Sequence, residues 1–221
     1  MPIDLQLAPE LAGRVRLGVL ELEGVTVGET DPALVSEVEG YAADLRRLHG
    51  DGKSADVPGA ADARALYKAL GLDPTKTRPS SEALLRRVLK GEALYRINTL
   101  VDAMNLCSLR AQLPFGLYDR DRIEPPVVLR KGTAGESYEG IRKADVHVEG
   151  RPVLADARGA FGNPTSDSAR TMVTLATRAA LVTVYAPSSF NEARLMEILK
   201  ETETTLTRFC GGTGRDRRVL R

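Results

Sequence analysis

The sequence predicts an α+β fold in which helices flank a central, mostly antiparallel sheet, and three observations support this prediction. A chain of 221 residues with 43% hydrophobic and 28% charged residues has the composition of one globular domain. Its apolar pattern changes along the chain, from one strand through several helices to a group of strands and a last helix. Elements grouped in this way are typical of α+β folds, because α/β folds alternate strands and helices regularly.

The first half of the chain is predicted to contain one strand and four helices. The strand begins at residues 14–19, where polar and apolar residues alternate. Helices are predicted over residues 32–49, 60–70, 80–90 and 97–112. Asp31 and Pro32 form a favourable start for the first helix, and a glycine follows each of the first three.

The second half is predicted to contain four strands and a last helix. The strands are predicted over residues 127–130, 144–148, 152–155 and 179–185. The second and third form a hairpin around Glu149 and Gly150 in this interpretation. The last helix begins at Ser188 or Ser189 and ends near Phe209, and a basic tail follows it. We therefore divide the chain into an N-terminal part of the same globule, a core and a basic tail, over residues 1–75, 76–210 and 211–221.

The composition excludes several classes of protein. Cys107 and Cys210 are about a hundred residues apart, which suits neither a zinc ribbon nor a disulfide framework. With only His49 and His147 present, we expect no metal site, and no phosphate-binding glycine motif predicts a cofactor. The net charge of +1 argues against a surface built to coat nucleic acid. No run of 18 apolar residues and no secretory signal pattern is present, so we expect a cytoplasmic protein without a membrane partner.

The predicted helix over residues 97–112 carries polar side chains on an otherwise apolar surface. At about 100° per residue they fall within roughly one third of its circumference. These side chains are Asn98, Asp102, Asn105, Ser108 and Gln112. Because apolar residues share this sector, the polar groups do not form a solvated face and must be hydrogen-bonded. Two interpretations stay open: they bond to neighbouring backbone, or they line a polar pocket.

Two further segments combine small and polar residues. Residues 129–136 have the pattern of a strand end and a glycine turn followed by Glu136. Residues 154–168 form a long stretch of small and polar residues between two predicted strands, including Asp156, Gly162, Asn163 and Asp167. Such a loop is either exposed and mobile or functional, because its glycines let backbone N–H groups approach a ligand closely.

In this order, these segments resemble the B3/B4 domain of the phenylalanyl-tRNA synthetase beta chain, and especially its free-standing relatives. The resemblance covers about residues 78–186. It rests on residues 78–88, Ile97-Asn98, Val101-Asp102-x-x-Asn105, Leu113-Pro-x-Gly116-x-Tyr-Asp119, Leu129-Arg130 with Gly135-Glu136, Ala155-Asp156, and Asn163-Pro-Thr-Ser-Asp167-Ser with Arg170-Thr171. The resemblance implies a B3/B4-like α+β core.

The resemblance also implies binding of the aminoacylated 3′ end of tRNA and hydrolysis of a misattached amino acid. Backbone N–H groups and polar side chains would place a water against the ester carbonyl, without a covalent nucleophile. Asn105 and Asp167 are then expected to be catalytic. Met104 and Gly116 stand where the synthetase usually has Thr and His, which changes the volume and polarity of the pocket. The expected pocket residues are Asn98, Asp102, Met104, Ser108, Gly116, Glu136, Asp156, Gly162 and Asn163.

Basic residues near these segments are the candidates for contact with tRNA phosphates. They are Arg86, Arg87, Lys90, Arg142 and Lys143, together with Arg215, Arg217 and Arg218 of the expected tail. Solvated surface charge is the other interpretation of these residues, because the chain has almost as many acidic residues as basic ones. Two alternative functions stay open: a tRNA-binding module without catalysis, and a pocket for a free amino acid or a derivative.

Overall fold

The computed structural model describes residues 1–50, 52–142 and 144–221. The described helices are α1 (Pro32–His49), α2 (Ala60–Ala69), α3 (Ser80–Leu89), α4 (Thr99–Ala111) and α5 (Glu192–Cys210). The described strands are β1 (Leu5–Leu7), β2 (Val15–Glu23), β3 (Phe115–Asp119), β4 (Val127–Lys131), β5 (Ser137–Tyr138), β6 (Val146–His147), β7 (Pro152–Asp156), β8 (Gly159–Gly162), β9 (Ala179–Pro187) and β10 (Thr213–Leu220). No helix in the described ranges combines the length and the apolar run needed to cross a bilayer.

The strands form two four-stranded sheets and one short ribbon. A central sheet has the order β10-β2-β9-β3 and is antiparallel throughout. An outer sheet has the order β1-β4-β7-β8, in which only β1 and β4 run parallel. Strands β5 and β6 pair with each other. The predicted α+β class with mostly antiparallel pairing is confirmed, although the strands are divided between two sheets.

The central sheet separates two hydrophobic cores. Side chains of a strand alternate between its faces, so Val182 and Val184 of β9 pack with α4 and α5. Leu181 and Tyr185, on the opposite face of β9, pack with the outer sheet and with α2. The molecule therefore has a helical layer on one side of the central sheet and the outer sheet on the other, and each candidate residue can be assigned to a side.

The expected basic tail is wrong, because residues 213–220 form the edge strand β10, which pairs with β2. The positive charges of this strand lie beside acidic partners. Arg215 pairs with Glu23 of β2, and Arg217 pairs with Glu203 of α5. The run of charge concealed the strand from sequence analysis, because the apolar alternation that marks a strand is weak here.

The expected hairpin around Glu149 and Gly150 is also wrong. Strand β6 pairs with β5, whereas β7 pairs with β4 and β8. Strand β8 lies within the stretch that sequence analysis interpreted as a loop, and its composition, Gly-Ala-Phe-Gly, has little strand character of its own. Tertiary contacts stabilise this strand, since Phe161 lies edge-on to Tyr118 with ring centroids 5.1 Å apart.

We expect Gly162→Ala to destabilise the fold by about 1–3 kcal/mol, the usual cost of overpacking a core. A Cβ at this position would lie 2.5 Å from the ring and hydroxyl of Tyr118, which is fully buried and has no space to move into. Urea denaturation measures the effect. The matched control is Gly40→Ala on the exposed side of α1, where nothing lies within 4 Å of the added Cβ. This control should raise stability by up to ~1 kcal/mol through helix propensity, and equal effects of both substitutions would contradict the prediction.

Candidate functional site

Three of the polar residues predicted to share one sector of α4 serve the helix itself. The Asn98 side chain caps α4 by accepting a hydrogen bond from the Val101 N–H at 3.0 Å. The Ser108 hydroxyl donates to the Leu113 carbonyl at 2.8 Å. Gln112 ends the helix with a left-handed backbone, and its amide donates to a carbonyl of the last turn at 2.6 Å. For these three residues the backbone interpretation applies, because each satisfies a group at a helix end.

Asp102 and Asn105 differ from these three residues because they line a cavity. The cavity, which we call the α1–α4 cavity, has a volume of about 200 Å³ and lies between α1, residues 91–96 and α4. Its apolar wall consists of Leu34, Val35, Val38, Ala42 and Leu94. Both polar side chains are half-buried and lie three residues apart, so they project from the same side of α4. The α1–α4 cavity therefore combines an apolar wall with a carboxylate and a carboxamide.

The carboxylate of Asp102 lies in an environment that favours its protonated form. Burial raises its pKa above the ordinary value, although hydrogen bonds from the Ile97 and Asn98 backbone and the charge of Arg96 oppose this shift. One carboxylate oxygen, Oδ1, accepts a hydrogen bond from the Ile97 N–H at 3.0 Å. A carboxylate with a raised pKa is a stronger base than an exposed one.

The α1–α4 cavity also carries charges of both signs. Glu39 and Arg96 form an ion pair with an N–O distance of 2.5 Å, and both are well exposed to solvent. Arg46, which also lines the cavity, is half-buried and has no carboxylate partner among the described residues. A ligand in this cavity therefore meets a half-buried acid, Asp102, and the guanidinium of Arg46 beside an apolar wall.

Met104 and Gly116 do not meet in one pocket. Met104 packs in the helical core, with Phe115 and Leu117 of β3. Gly116 lies on the opposite face of β3, where an added Cβ would contact the hydroxyl of Tyr118 and, at 2.7 Å, that of Thr183. The central sheet therefore stands between these two predicted pocket residues.

Gly162 and Asp167 lie with Gly116 on the side of the outer sheet. Gly162 contacts Tyr118, and Asp167 forms an isolated bridge with Gly162. Burial, together with the charge of Asp167, raises the pKa of Tyr118. Burial also raises the pKa of Tyr185, although its hydroxyl neighbours Thr183 and Tyr118 oppose this shift. This cluster of buried hydroxyls fills the space beside Gly116, so the structure brings together Gly116, Gly162 and Asp167 and separates them from Asn105.

The other predicted pocket residues are held by structural contacts. Glu136 accepts two hydrogen bonds from Arg130, at 2.7 and 2.8 Å. Asp156 accepts two from Arg170, at 3.0 and 2.9 Å, and further bonds from two backbone N–H groups. The side-chain oxygen of Asn163 closes a turn by accepting hydrogen bonds from the backbone N–H groups of Thr165 and Ser166. These side chains stabilise their loops, and their acceptor oxygens are occupied.

We expect Glu136→Gln to destabilise the protein by about 1.5–3 kcal/mol at pH 7, because it removes a charged acceptor. Hydrogen bonds from Arg130 lower the pKa of Glu136 from 4.5 to about 2. A lowered pKa gives stability that is present above pH 4.5 and is lost as the pH falls toward 2. Denaturation curves between pH 7 and pH 2 should therefore show the two proteins converging at the acid end. The matched control is Glu139→Gln, an exposed acid nearby; a constant difference for Glu136→Gln over this pH range would contradict the prediction.

The residues predicted to contact tRNA phosphates lie in different parts of the structure. Arg87 pairs with Glu92 at 3.1 Å and lies over the Tyr95 ring at 4.1 Å. Arg142 is exposed, in a segment away from the helices, and Lys143 lies outside the described residues. Arg86 instead lines a second cavity of about 480 Å³, together with other basic side chains that sequence analysis did not select. Those residues are Lys53, Arg64 and Arg78, and Lys90, a predicted phosphate contact, also lines this cavity.

The protein is an α+β domain with two cavities beside its helical layer, one lined by Asp102 and Asn105 and one lined by basic side chains. A model of the B3/4 domain family matches residues 62–210, and the chain belongs to this family. Among solved structures, it is similar to an N-terminal fragment of the phenylalanyl-tRNA synthetase beta subunit from Pyrococcus horikoshii.

That similarity has a TM-score of 0.52 at 14% identity, and it covers 100% of this chain and 55% of that chain. At this identity the likeness establishes the fold, and this chain spans about half the length of the synthetase fragment. The comparison with curated proteins gives no match. The family resemblance seen in the sequence is thereby confirmed.

Proposed function

We propose that the protein binds tRNA through its aminoacylated 3′ end and hydrolyses a misattached amino acid, as an aminoacyl-tRNA deacylase acting in trans. Membership of the B3/4 family and the likeness to part of a tRNA synthetase support tRNA as the partner. The observation that carries the proposal is the pair Asp102 and Asn105 in a mostly apolar cavity. Such a protein acts where tRNA is aminoacylated, so the proposal includes the cytoplasm.

The size and lining of the α1–α4 cavity suit one aminoacyl group. Its volume of about 200 Å³ is below the roughly 300–1,000 Å³ of sites for drug-sized ligands. An apolar side chain would contact Leu34, Val38 and Leu94, while its polar end faces α4. The apolar lining favours an aliphatic or aromatic amino acid over a charged one, since burying an unpaired charge is costly.

The chemistry needs one water and no covalent intermediate. Asp102 would accept a proton from the water as its oxygen attacks the ester carbonyl carbon. The Asn105 carboxamide would donate a hydrogen bond to the carbonyl oxygen, where negative charge develops. When the bond from carbon to the ribose oxygen breaks, that oxygen takes the proton back from Asp102. The products are the free amino acid and an unacylated tRNA, and Asp102 returns to its starting state.

A panel of misacylated tRNAs tests the proposal directly. Purified protein should release at least one apolar amino acid faster than the uncatalysed ester hydrolyses, and correctly charged tRNAs should be spared. Tight binding of acylated tRNA without release would overturn the hydrolase and leave a tRNA-binding module without catalysis. If the protein neither binds any tRNA nor releases an amino acid from one, the whole proposal is overturned.

A pocket for a free amino acid is the second candidate, and the charges at the mouth of the α1–α4 cavity favour it. Glu39 and Asp102 could hold an ammonium group, and Arg46 a carboxylate. A free apolar amino acid at millimolar concentration would then raise the melting temperature without any tRNA, by linkage of binding to folding. Because an aminoacyl ester has no free carboxylate, Arg46→Gln should weaken binding of the free amino acid and leave ester hydrolysis intact.

A further inference from the structure

The second cavity, which we call the basic cavity, concentrates positive charge. It lies between Gly50, residues 52–55 and the exposed side of α3, with a volume of about 480 Å³. Among the described residues that line it, five carry basic side chains and one, Glu82, carries an acidic one. In a chain whose net charge is only +1, this concentration of one sign in one hollow requires a physical explanation, since like charges close together repel.

Glu82 does not neutralise the basic cavity, because its charge is already shared with one cation. Its side chain is 1% exposed and accepts hydrogen bonds from Arg64 at 2.7 and 2.8 Å. Ser54 donates a further hydrogen bond to it at 2.9 Å. The charge of Asp56 also acts on Arg64. Glu82, the acid that lines the cavity among the described residues, is therefore paired with Arg64, and this pair forms one wall of the cavity.

Four cations remain without an acidic partner in the part of the chain that the structure describes. They are Lys53, Arg78, Arg86 and Lys90. Arg78 is half-buried at the wall of the cavity, and its Nε has no hydrogen-bond partner among the described residues. Because this Nε is closed to solvent, an anion in the basic cavity would accept hydrogen bonds from the other N–H groups of the Arg78 guanidinium.

Phosphate is the anion whose chemistry fits these residues best. Arginine presents parallel N–H groups that match the spacing of two phosphate oxygens, and lysine adds a compact charge. Arg86 lies in α3, and Lys90 follows one turn later as the residue that caps this helix, so both side chains project to the same side. Arg78 and Lys53 approach from two other segments, so a tetrahedral group between them would receive donors from several directions.

The basic cavity adjoins the α1–α4 cavity. Lys90 lines the former and Gly91 the latter, although they are consecutive residues. On the other side, Gly50 of the basic cavity follows Arg46 of the α1–α4 cavity by one turn. A strand of RNA whose acylated end occupies the α1–α4 cavity would therefore bring its preceding phosphates to the basic cavity.

We propose that the basic cavity is a phosphate-binding site in which Lys53, Arg78, Arg86 and Lys90 hold a backbone phosphate next to the acylated end of the RNA. The assignment to RNA rests on the proposed function, whereas phosphate binding by the cavity does not. The site would fix the register of the strand, so that the ester reaches Asp102 and Asn105, in keeping with the general role of phosphate contacts in positioning.

The test uses the double variant Arg86→Gln with Lys90→Gln. Its control, Lys68→Gln with Lys76→Gln, removes the same charge from two exposed positions that line neither cavity. Binding of a 3′-acylated hairpin RNA is measured against salt concentration. Loss of two phosphate contacts should lower the slope of log affinity against log salt by roughly 1.4, at about 0.7 per contact for a single strand. The control should change the slope by less than half as much, and equal slopes for both variants would overturn the assignment to RNA.

Inorganic phosphate separates the site from the function. Phosphate at matched ionic strength should protect the wild type and the control from thermal unfolding, and should not protect the Arg86→Gln, Lys90→Gln variant. Competition between phosphate and the hairpin RNA supports the RNA backbone as the natural source of phosphate. Phosphate binding without competition would overturn that assignment in favour of a free phosphate or nucleotide, and no protection of the wild type would overturn the site itself.

Hydrolysis of an aminoacyl ester of adenosine, which carries no phosphate, tests the proposed function without the basic cavity. A failure of the phosphate site can therefore be distinguished from a failure of the proposed function. If the function is correct, the wild type and both double variants should hydrolyse this small ester at the same rate. If none of the three proteins hydrolyses the ester, the proposed deacylase activity is overturned. Phosphate binding is then tested by the thermal unfolding measurement alone. A selective loss of ester hydrolysis in the Arg86→Gln, Lys90→Gln variant would contradict a role restricted to phosphate.

Discussion

Asp102→Asn is expected to lower the rate of aminoacyl ester hydrolysis by about 100-fold or more, the range for loss of a general base. Asparagine keeps the shape and an oxygen that accepts from the Ile97 N–H, so α4 should keep its first turn. It cannot accept the proton of the attacking water. Single-turnover release of the amino acid measures the effect, and the affinity for the uncharged tRNA should not change.

The dependence of the rate on pH identifies Asp102 more specifically than the loss of activity does. Because burial raises the pKa of Asp102, the wild-type rate should rise with pH through a value above the ordinary pKa of an aspartate. This rise should disappear in the variant. The matched control is Asp44→Asn on the exposed side of α1, where the carboxylate pairs only with Arg47. An Asp102→Asn variant as active as this control would contradict the mechanism.

The sequence identified the polar sector of α4 but not the role of each member. Helical spacing places Asn98, Asp102, Asn105 and Ser108 in one sector. Whether each side chain meets backbone or a cavity depends on what packs beside the helix. Asn98 and Ser108 lie at helix ends, where free N–H and carbonyl groups satisfy them. Capping preferences could have found Asn98, but the cavity wall comes from α1, which spacing along α4 cannot reveal.

The residues implied by the resemblance were separated by a strand that the sequence did not predict. Strand β3 directs Phe115 and Leu117 to the helical side of the central sheet and Gly116 to the other. Without knowing that residues 115–119 are extended, sequence analysis had no means of deciding the side of Gly116. The sequence therefore allowed Met104 and Asn105 to share one pocket with Gly116, whereas the central sheet separates them in the structure.

The basic cavity was missed for a different reason. The four cations that have no acidic partner in the described ranges come from segments on either side of α2 and from both ends of α3. In the sequence Arg86 and Arg87 are equivalent, but consecutive residues of a helix point about 100° apart. Arg87 consequently pairs with Glu92, whereas Arg86 lines the hollow. The Arg64–Glu82 pair, which leaves the other cations without an acid, is a long-range contact that charge counting cannot anticipate.

Asp156→Asn is expected to cost about 3–5 kcal/mol of folding stability, because it breaks a buried ion pair and leaves one charge without its partner. The Asp156 side chain is fully buried and accepts two hydrogen bonds from Arg170, which is 21% exposed. It also accepts from the N–H groups of Glu124 and Arg158. The pair therefore ties the end of β7 to two loops. Guanidinium denaturation measures the loss, and Glu124→Gln, which removes only an exposed pair with Arg158, should cost less than ~1 kcal/mol.

A double-mutant cycle decides whether Asp156 stabilises the fold through Arg170 or belongs to a substrate pocket. If the role is structural, Asp156→Asn combined with Arg170→Met should cost less than the sum of the two single substitutions, because neither charge is then left unpaired. Any hydrolysis per folded molecule should stay at the wild-type level in all three variants. An Asp156→Asn protein that is as stable as the wild type but inactive would return Asp156 to the pocket, and would place the reacting ester on the side of the outer sheet instead of beside α4.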